Sequence, residues 1–301
     1  MSNLVQNFHK ILMIVNQNLK NVLNSDGNVP KLGRRPKFSD AKVISLALLA
    51  ESSEVDSELR FFKNLSINYT SEFPDLIDRS QFNRRRKSLF SFINTVRISL
   101  ANSIESENSR LIVDSMPLAI CKFSRAKRLK ICKESEENQA EFGYCAAQNT
   151  HYFGYKFHAV CSTSGTIKHF DLSKANIHDI KYLEDIRDEF PGAELLGDLG
   201  YRSNPLQMEL FEVHNIKLIT PMRSNEKAYQ PQDPISRKQR KRIETIFSQL
   251  VDFLNLTKNY AKTTIGLAAR VLTKVTSFTL LQYLNILNGR PQNHVKHALY
   301  F

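Results

Sequence analysis

The chain has 301 residues, 42% of them hydrophobic and 24% charged, which gives apolar content for a sizeable core and a length that suits two domains. These proportions exclude a collagenous, disulfide-scaffold or mainly disordered protein. The net charge of +12 divides unevenly, with +5 over residues 1–105, −2 over 106–200 and +9 over 201–301. Basic ends flanking a slightly acidic middle point to a polyanionic partner, nucleic acid first. Fully apolar runs, such as residues 43–50 broken only by Ser45, fall short of a membrane span, and the N-terminus shows no secretory pattern. Cys121, Cys132, Cys145 and Cys161 form no CxxC pair, so four reduced thiols in a cytoplasmic protein are expected.

In chain order, Leu4, Phe8, Ile11, Val15, Leu19 and Val22 recur at helical spacing and predict a first long helix. Residues 24–37, rich in Gly and Pro, form a loop. Ser39 and Asp40 offer an N-cap ahead of a second helix. A third helix covers residues 58–65, and a fourth is capped by Ser80 and runs to about 104 through Arg84, Arg85, Arg86 and Lys87. The pattern changes near Arg110. Residues 110–116 read as a strand, and 155–163 with 166–173 as a hairpin across Ser164-Gly165. A helix over 176–190, a strand over 192–201, a helix over 203–214, a strand over 216–221 and a helix over 236–256 follow. An apolar helix over 263–288 closes the chain. A three-strand meander followed by two additions through helices is the order of a ribonuclease H-like α/β domain. The expected architecture is therefore a mixed five-stranded sheet with helices, preceded by an all-α domain. The expected domains are a helical DNA-binding domain at 1–105, the catalytic domain at 106–260, and a helical extension at 261–301 packed on the catalytic domain.

Three acids fall at informative places in that order: Asp114 ends the first strand, Asp198 ends the fourth, and Glu244 lies on the helix after the fifth. The carboxyl ends of strands line the ligand crevice of an open α/β sheet. The first and fourth strands are neighbours in this order, so Asp114 and Asp198 are expected side by side although 84 positions apart. Paired carboxylates repel unless a cation neutralises them, and a hard divalent ion is the usual one. Two such ions can activate water on one side of a phosphodiester and stabilise the leaving oxygen on the other. The Cys and His residues lack the spacing of a zinc site.

The segments IVDSMPLAIC (112–121), FGYKFHAVCSTSG (153–165), ANIHDIKYL (175–183), GDLGYRS (197–203), LITPMRSN (218–225) and RKQRKRIETIFSQL (237–250) resemble insertion-sequence transposases of the IS4/IS5-like DDE group, most closely the IS982 family. The resemblance covers roughly residues 30–290. It implies that Asp114, Asp198 and Glu244 are the catalytic and metal-binding triad, holding two Mg²⁺ or Mn²⁺ ions. It also implies cleavage at the element boundary and transfer of the freed 3′-OH to target DNA. Relatives often carry Tyr-x2-Arg-x3-Glu-x6-Lys on the last helix. Arg240 and Glu244 match that pattern, whereas Arg237 and Val251 replace the Tyr and the Lys.

DNA contacts are expected from Arg84, Arg85, Arg86 and Lys87, read as opening a recognition helix. They are also expected from Lys122, Arg125, Lys127, Arg128 and Lys130, in a stretch with six basic residues and no acid. Lys156 and His158, on one strand face, are expected near the scissile phosphate, and Tyr201, Arg202 and Arg240 are expected to contact DNA. His178 and Asp179 read as helix caps. The expected partners are the terminal inverted repeats and target DNA, bound by a homodimer in the prokaryotic cytoplasm near the nucleoid, with no membrane. Two rivals are a nuclease or resolvase of the same fold that cuts without joining, and a non-catalytic DNA-binding protein derived from a transposase.

Overall fold

A computed structural model describes residues 3–53, 57–226 and 229–299. In chain order the regular elements are α1 (Asn3–Asn18), α2 (Asp40–Ser52), α3 (Glu58–Asn68), α4 (Arg79–Ser88), α5 (Phe90–Ile104), β1 (Arg110–Ala119), β2 (Glu141–Cys145), β3 (Thr150–Ser162), β4 (Ile167–Lys174), α6 (Tyr182–Ile186), β5 (Glu194–Leu196), α7 (Asn204–Glu212), β6 (Lys217–Ile219), α8 (Pro234–Asp252) and α9 (Thr264–Leu287). They fall into two compact units. One comprises residues 1–104, 252–261 and 265–301, and the other 105–251 and 262–264.

The first unit is built from α1–α5 and nearly all of α9. Ser39 caps α2 by accepting from the Lys42 N–H at 3.2 Å, as its sequence position suggested. The fourth predicted helix is two: α4 begins at Arg79, directly after its cap Asp78 rather than Ser80, and the helix ends at Leu89 before α5. Arg85, Arg86 and Lys87 therefore close a helix instead of opening one. The C-terminal segment is not a separate extension. Helix α9 belongs with the N-terminal helices, and its Lys274 and Arg270 pair with Glu51 of α2. This helix is long and apolar enough to cross a membrane, but 78% of its most apolar window is buried. It is the core helix of its unit.

The second unit holds a six-stranded mixed sheet, one strand more than the sequence reading gave. Strand β1 pairs antiparallel with β3 on one side and parallel with β5 on the other; β5 continues in parallel to β6. Beyond β3, β4 and β2 share its outer edge, β4 along 155–161 and β2 along 150–154. Strand β2 escaped prediction because Phe142 and Tyr144, its apolar residues, are exposed, so no buried face marks it. Leu111 and Val113 of β1 pack with Val160, Tyr182, Leu183, Ile186, Tyr201 and Leu210 on one sheet face. The opposite face meets α8, where Phe157 and Phe247 lie edge to face at 5.9 Å. The predicted helix over 176–190 is a 3₁₀ turn, Asp179–Lys181, leading into the short α6.

Candidate active site

The parallel register of β1 and β5 sets the positions of the two aspartates. The last ladder pair is Ile112 with Leu196. Asp114 and Asp198 each lie two residues beyond it, so they stand level where the strands part. Adjacent strands are about 4.8 Å apart, and this fork at the carboxyl end of parallel strands is where open α/β sheets bind ligands. Strand β1 does not stop at Asp114 but continues to Ala119 against β3 alone.

Side chains alternate along a strand, so Asp114 shares the face of Ile112 that looks toward α8, while Ser115 looks the other way. Burial raises the Asp114 carboxyl to about 7, and the Ser115 N–H, 2.8 Å from Oδ1, works against that rise. Asp198 and Asp179 push it up further, and Arg240 of α8 pulls it down. Asp198 caps the 3₁₀ turn Leu199–Tyr201, accepting from the Gly200 N–H at 2.8 Å. A Cβ on Gly200 would lie 3.0 Å from Asp198 Oδ1 and 3.7 Å from Asp179 Oδ2. The residue type thus leaves open a cradle between two carboxylates. Tyr201 is almost wholly buried, and its hydroxyl has no hydrogen-bond partner among the described residues. Burial raises its pKa, as do Asp114, Asp179 and Asp198.

Asp179 was read from the sequence as a cap, and it does more. Its Oδ1 accepts from Ser115 Oγ at 2.9 Å and Lys156 Nζ at 3.0 Å. It therefore fastens the rear of β1 and abuts the turn that holds Asp198. No short motif signals a link between positions 115 and 179; only the fold brings them together. His178 does cap, accepting from the Ile180 N–H through Nδ1 at 3.3 Å.

The other predicted residues separate into groups. Glu244 is exposed on α8, one helical turn beyond Arg240 and so on the same side of that helix. Arg240 acts on Asp114, and its Nε has no hydrogen-bond partner among the described residues. Lys156 is engaged by Asp179 and by the Ile177 carbonyl at 2.7 Å, so it positions an acid instead of presenting a free charge. His158 is buried against Tyr182 with ring centroids 4.7 Å apart, and burial lowers its pKa to about 4; it is a core residue and does not face a phosphate. Arg202 is taken up by Glu226 at 2.5 Å and the Pro221 carbonyl at 3.0 Å. Lys122, Arg125, Lys127, Arg128 and Lys130 are all exposed on and around the 3₁₀ turn Phe123–Arg128.

Within the first unit, Arg86 corrects the reading of the α4 cluster. It is 3% exposed and paired with Glu58 at 3.2 Å and Glu51 at 3.7 Å. Desolvating a guanidinium requires such partners, so Arg86 is a core cation and unavailable to DNA. Arg85 is bound to Asp40 at 2.6 Å and to the Phe38 carbonyl at 2.5 Å. Arg84 and Lys87 keep some exposure, and Arg84 lines a groove with Arg34, Arg35 and Lys37.

Among the described residues, no group of three or more His, Cys, Asp and Glu is drawn together to hold a metal ion. Asp114 and Asp198 nonetheless fit one. They offer hard oxygen donors, they are level across a strand fork, and their mutual repulsion is relieved only by Arg240 among the charges acting on Asp114.

No curated protein matches the chain. A scan of protein families matches residues 104–259, just over half of the chain, to the family described as Transposase DDE domain. The matched span nearly coincides with the second compact unit and contains Asp114, Asp198, Arg240 and Glu244. The chain therefore belongs to the DDE transposases.

Proposed function

We propose that this transposase is of the IS982 type. It would bind the ends of an insertion sequence, hydrolyse the phosphodiester at the element boundary and join the freed 3′-OH to target DNA. The observation that carries the reading is the level placement of Asp114 and Asp198 two residues beyond the last β1–β5 pair. The strand order β4-β3-β1-β5-β6, with an antiparallel meander and two parallel additions, supports a ribonuclease H-like catalytic domain.

Asp114 and Asp198 would hold the divalent cations, Mg²⁺ or Mn²⁺, with Glu244 as the third carboxylate. When bound, two such ions supply an activated water and stabilise the departing oxygen. The chain's own residues do the rest. Ser115 and Gly200 donate N–H groups that orient the two aspartates. Asp179 and Lys156 brace the strand behind them. Arg240 balances the negative charge while the acids stand close. The exposed cations Lys122, Arg125, Lys127, Arg128 and Lys130 hold phosphates of the bound strand, and Arg84 with Arg34, Arg35 and Lys37 offers a second basic surface in the first unit. The protein acts as a homodimer that pairs two ends, in the prokaryotic cytoplasm.

The test is incubation of the full chain with end DNA and Mg²⁺ or Mn²⁺. A nick at the boundary, and strand-transfer product from an end already cut to a 3′-OH, are expected. Asp114→Asn, Asp198→Asn and Glu244→Gln should each abolish both products while retaining the wild-type melt. Wild-type cleavage by any one variant removes that residue from the site. Cutting without transfer leaves a nuclease, and neither product in any metal overturns the reading.

A further inference from the structure

We propose that the outer face of the β2–β3 hairpin, with the 3₁₀ turn Phe123–Arg128, is a platform on which unpaired bases of a DNA strand stack. Phe142 and Tyr144 alternate along β2 and point outward, opposite Phe153 and His151 on β3. Tyr144 and His151 have ring centroids 4.9 Å apart, His151 and Phe123 6.1 Å, Phe123 and Phe142 5.7 Å, and Phe142 and Phe153 4.9 Å. The rings form one continuous row. Only Phe153 is core; Phe123, Phe142 and Tyr144 are 51%, 45% and 49% exposed. Large aromatic side chains gain most when buried, so a contiguous exposed row marks a binding surface.

The charge around the row selects the occupant. Lys122, Arg125, Lys127, Arg128 and Lys130 are exposed, and none has an ion-pair partner among the described residues. Two acids of the adjoining segments have partners of their own: Glu141 accepts from Gln139 at 3.0 Å, and Glu134 from the Thr264 backbone N–H at 3.0 Å. Protein interfaces are depleted in lysine at their centres. Aromatic faces set among unpaired cations are instead the arrangement that binds single-stranded nucleic acid, where bases stack and phosphates meet the charges. A duplex keeps its base faces covered, so the row fits a frayed or displaced strand. The platform begins where Ala119 of β1 lies across β3 from Glu141 of β2. That is five residues beyond Asp114, or about 17 Å along the strand, close enough for a strand leaving the acids to reach it.

The inference rests on DNA being the substrate, as proposed above, but on neither cleavage nor metal. The test uses the full chain in EDTA with a single-stranded oligonucleotide carrying 2-aminopurine, and a blunt duplex as reference. Stacking should quench the fluorophore on binding. Phe142→Ala with Tyr144→Ala should remove the quench and weaken single-strand binding by about fivefold or more, with the salt slope and duplex affinity unchanged. Phe123→Leu with Tyr144→Leu keeps apolar cover and should also lose the quench, which separates stacking from folding. Arg125→Ala with Arg128→Ala should lower the salt slope by about 1.4, two phosphate contacts on a single strand. Wild-type quench and affinity in both aromatic variants would overturn the platform. So would an altered oligomeric state, by light scattering, in variants that still bind the oligonucleotide as wild type does. Duplex binding without single-strand binding in the wild type sinks this inference alone, whereas no DNA binding at all sinks the proposed function too.

Discussion

At the scale of single residues, the two aspartates were legible because an acid at the end of a predicted strand is an observable pattern. Their level placement was not, since it depends on the parallel register of β1 with β5. Asp179 was legible only as a helix-opening residue, because its partners Ser115 and Lys156 lie 64 and 23 positions away. Asp179 does not touch the reacting atoms in the proposed scheme; it positions those that do. Asp179→Asn keeps the shape of the side chain but removes the ion pair with Lys156, which is largely buried. The turn carrying Asp198 should loosen. Supporting residues around metal ligands typically cost 10–100-fold when changed. We expect the single-turnover cleavage rate at saturating end DNA to fall by about that factor, with DNA affinity within error of wild type and the melting temperature lowered, because Lys156 loses its counter-charge. A rate equal to wild type would show that Asp179 only pairs with Lys156. A fall in affinity with an unchanged rate would assign it to DNA binding.

At the scale of elements, the strongly periodic helices and the β3–β4 hairpin were read from the sequence because each has a buried and an exposed face. Strand β2 has its apolar side chains in solvent, and β5 and β6 are only three residues long, so neither length nor pattern marked them fully. The α4 cluster failed for a different reason. A run of Arg residues gives the same sequence signal whether it faces solvent or buried acids. Here Glu51 of α2 collects Arg86, Arg270 and Lys274 from α4 and α9. Burial pushes the Glu51 carboxyl up, but Lys274, Arg270 and Arg86 outweigh it and hold the pKa below its ordinary value of 4.5. A carboxyl with a lowered folded pKa contributes stability that is present above its unfolded value and lost as pH falls through the folded one. The first unit should therefore lose stability progressively below about pH 4.5. Glu51→Gln should flatten that acid limb and destabilise by about 3–5 kcal/mol at neutral pH, because it leaves buried cations without their counter-charge. Chemical denaturation of both proteins between pH 3 and 7 measures this; parallel curves would show that the acid sensitivity arises elsewhere.

At the scale of the whole molecule, the chain's linear order does not match its division into units. Charge and pattern suggested a helical domain over 1–105, a catalytic domain over 106–260 and a helical extension over 261–301 packed on the catalytic domain. In the structure the first unit starts at the N-terminus, leaves for the sheet-bearing unit, and is completed by residues 252–261 and 265–301. The reason is visible in α9. Its Leu267, Val271, Leu272, Val275, Phe278, Leu280, Leu281 and Leu284 are all at most 1% exposed. Burying each such side chain is worth about 1.5–3 kcal/mol, so α9 supplies a large share of the apolar burial in the first unit. Removing α9 would also strip Glu51 of two of its three cations. A chain ending at residue 251 should therefore keep the sheet-bearing unit and lose the first one. The second unit is nearly continuous, so a fragment of residues 105–264 should fold alone, with a cooperative melt and dispersed amide resonances. Residues 1–104 alone should show helix by circular dichroism without a cooperative transition, the state of a helical set deprived of its core. Adding residues 252–301 in trans should restore a sharp melt. If residues 1–104 melt cooperatively by themselves, α9 is an accessory to that unit, and end binding can be mapped with the N-terminal fragment alone. If they require α9, any DNA-binding surface of the first unit depends on both ends of the chain, and truncations from either terminus should abolish it equally.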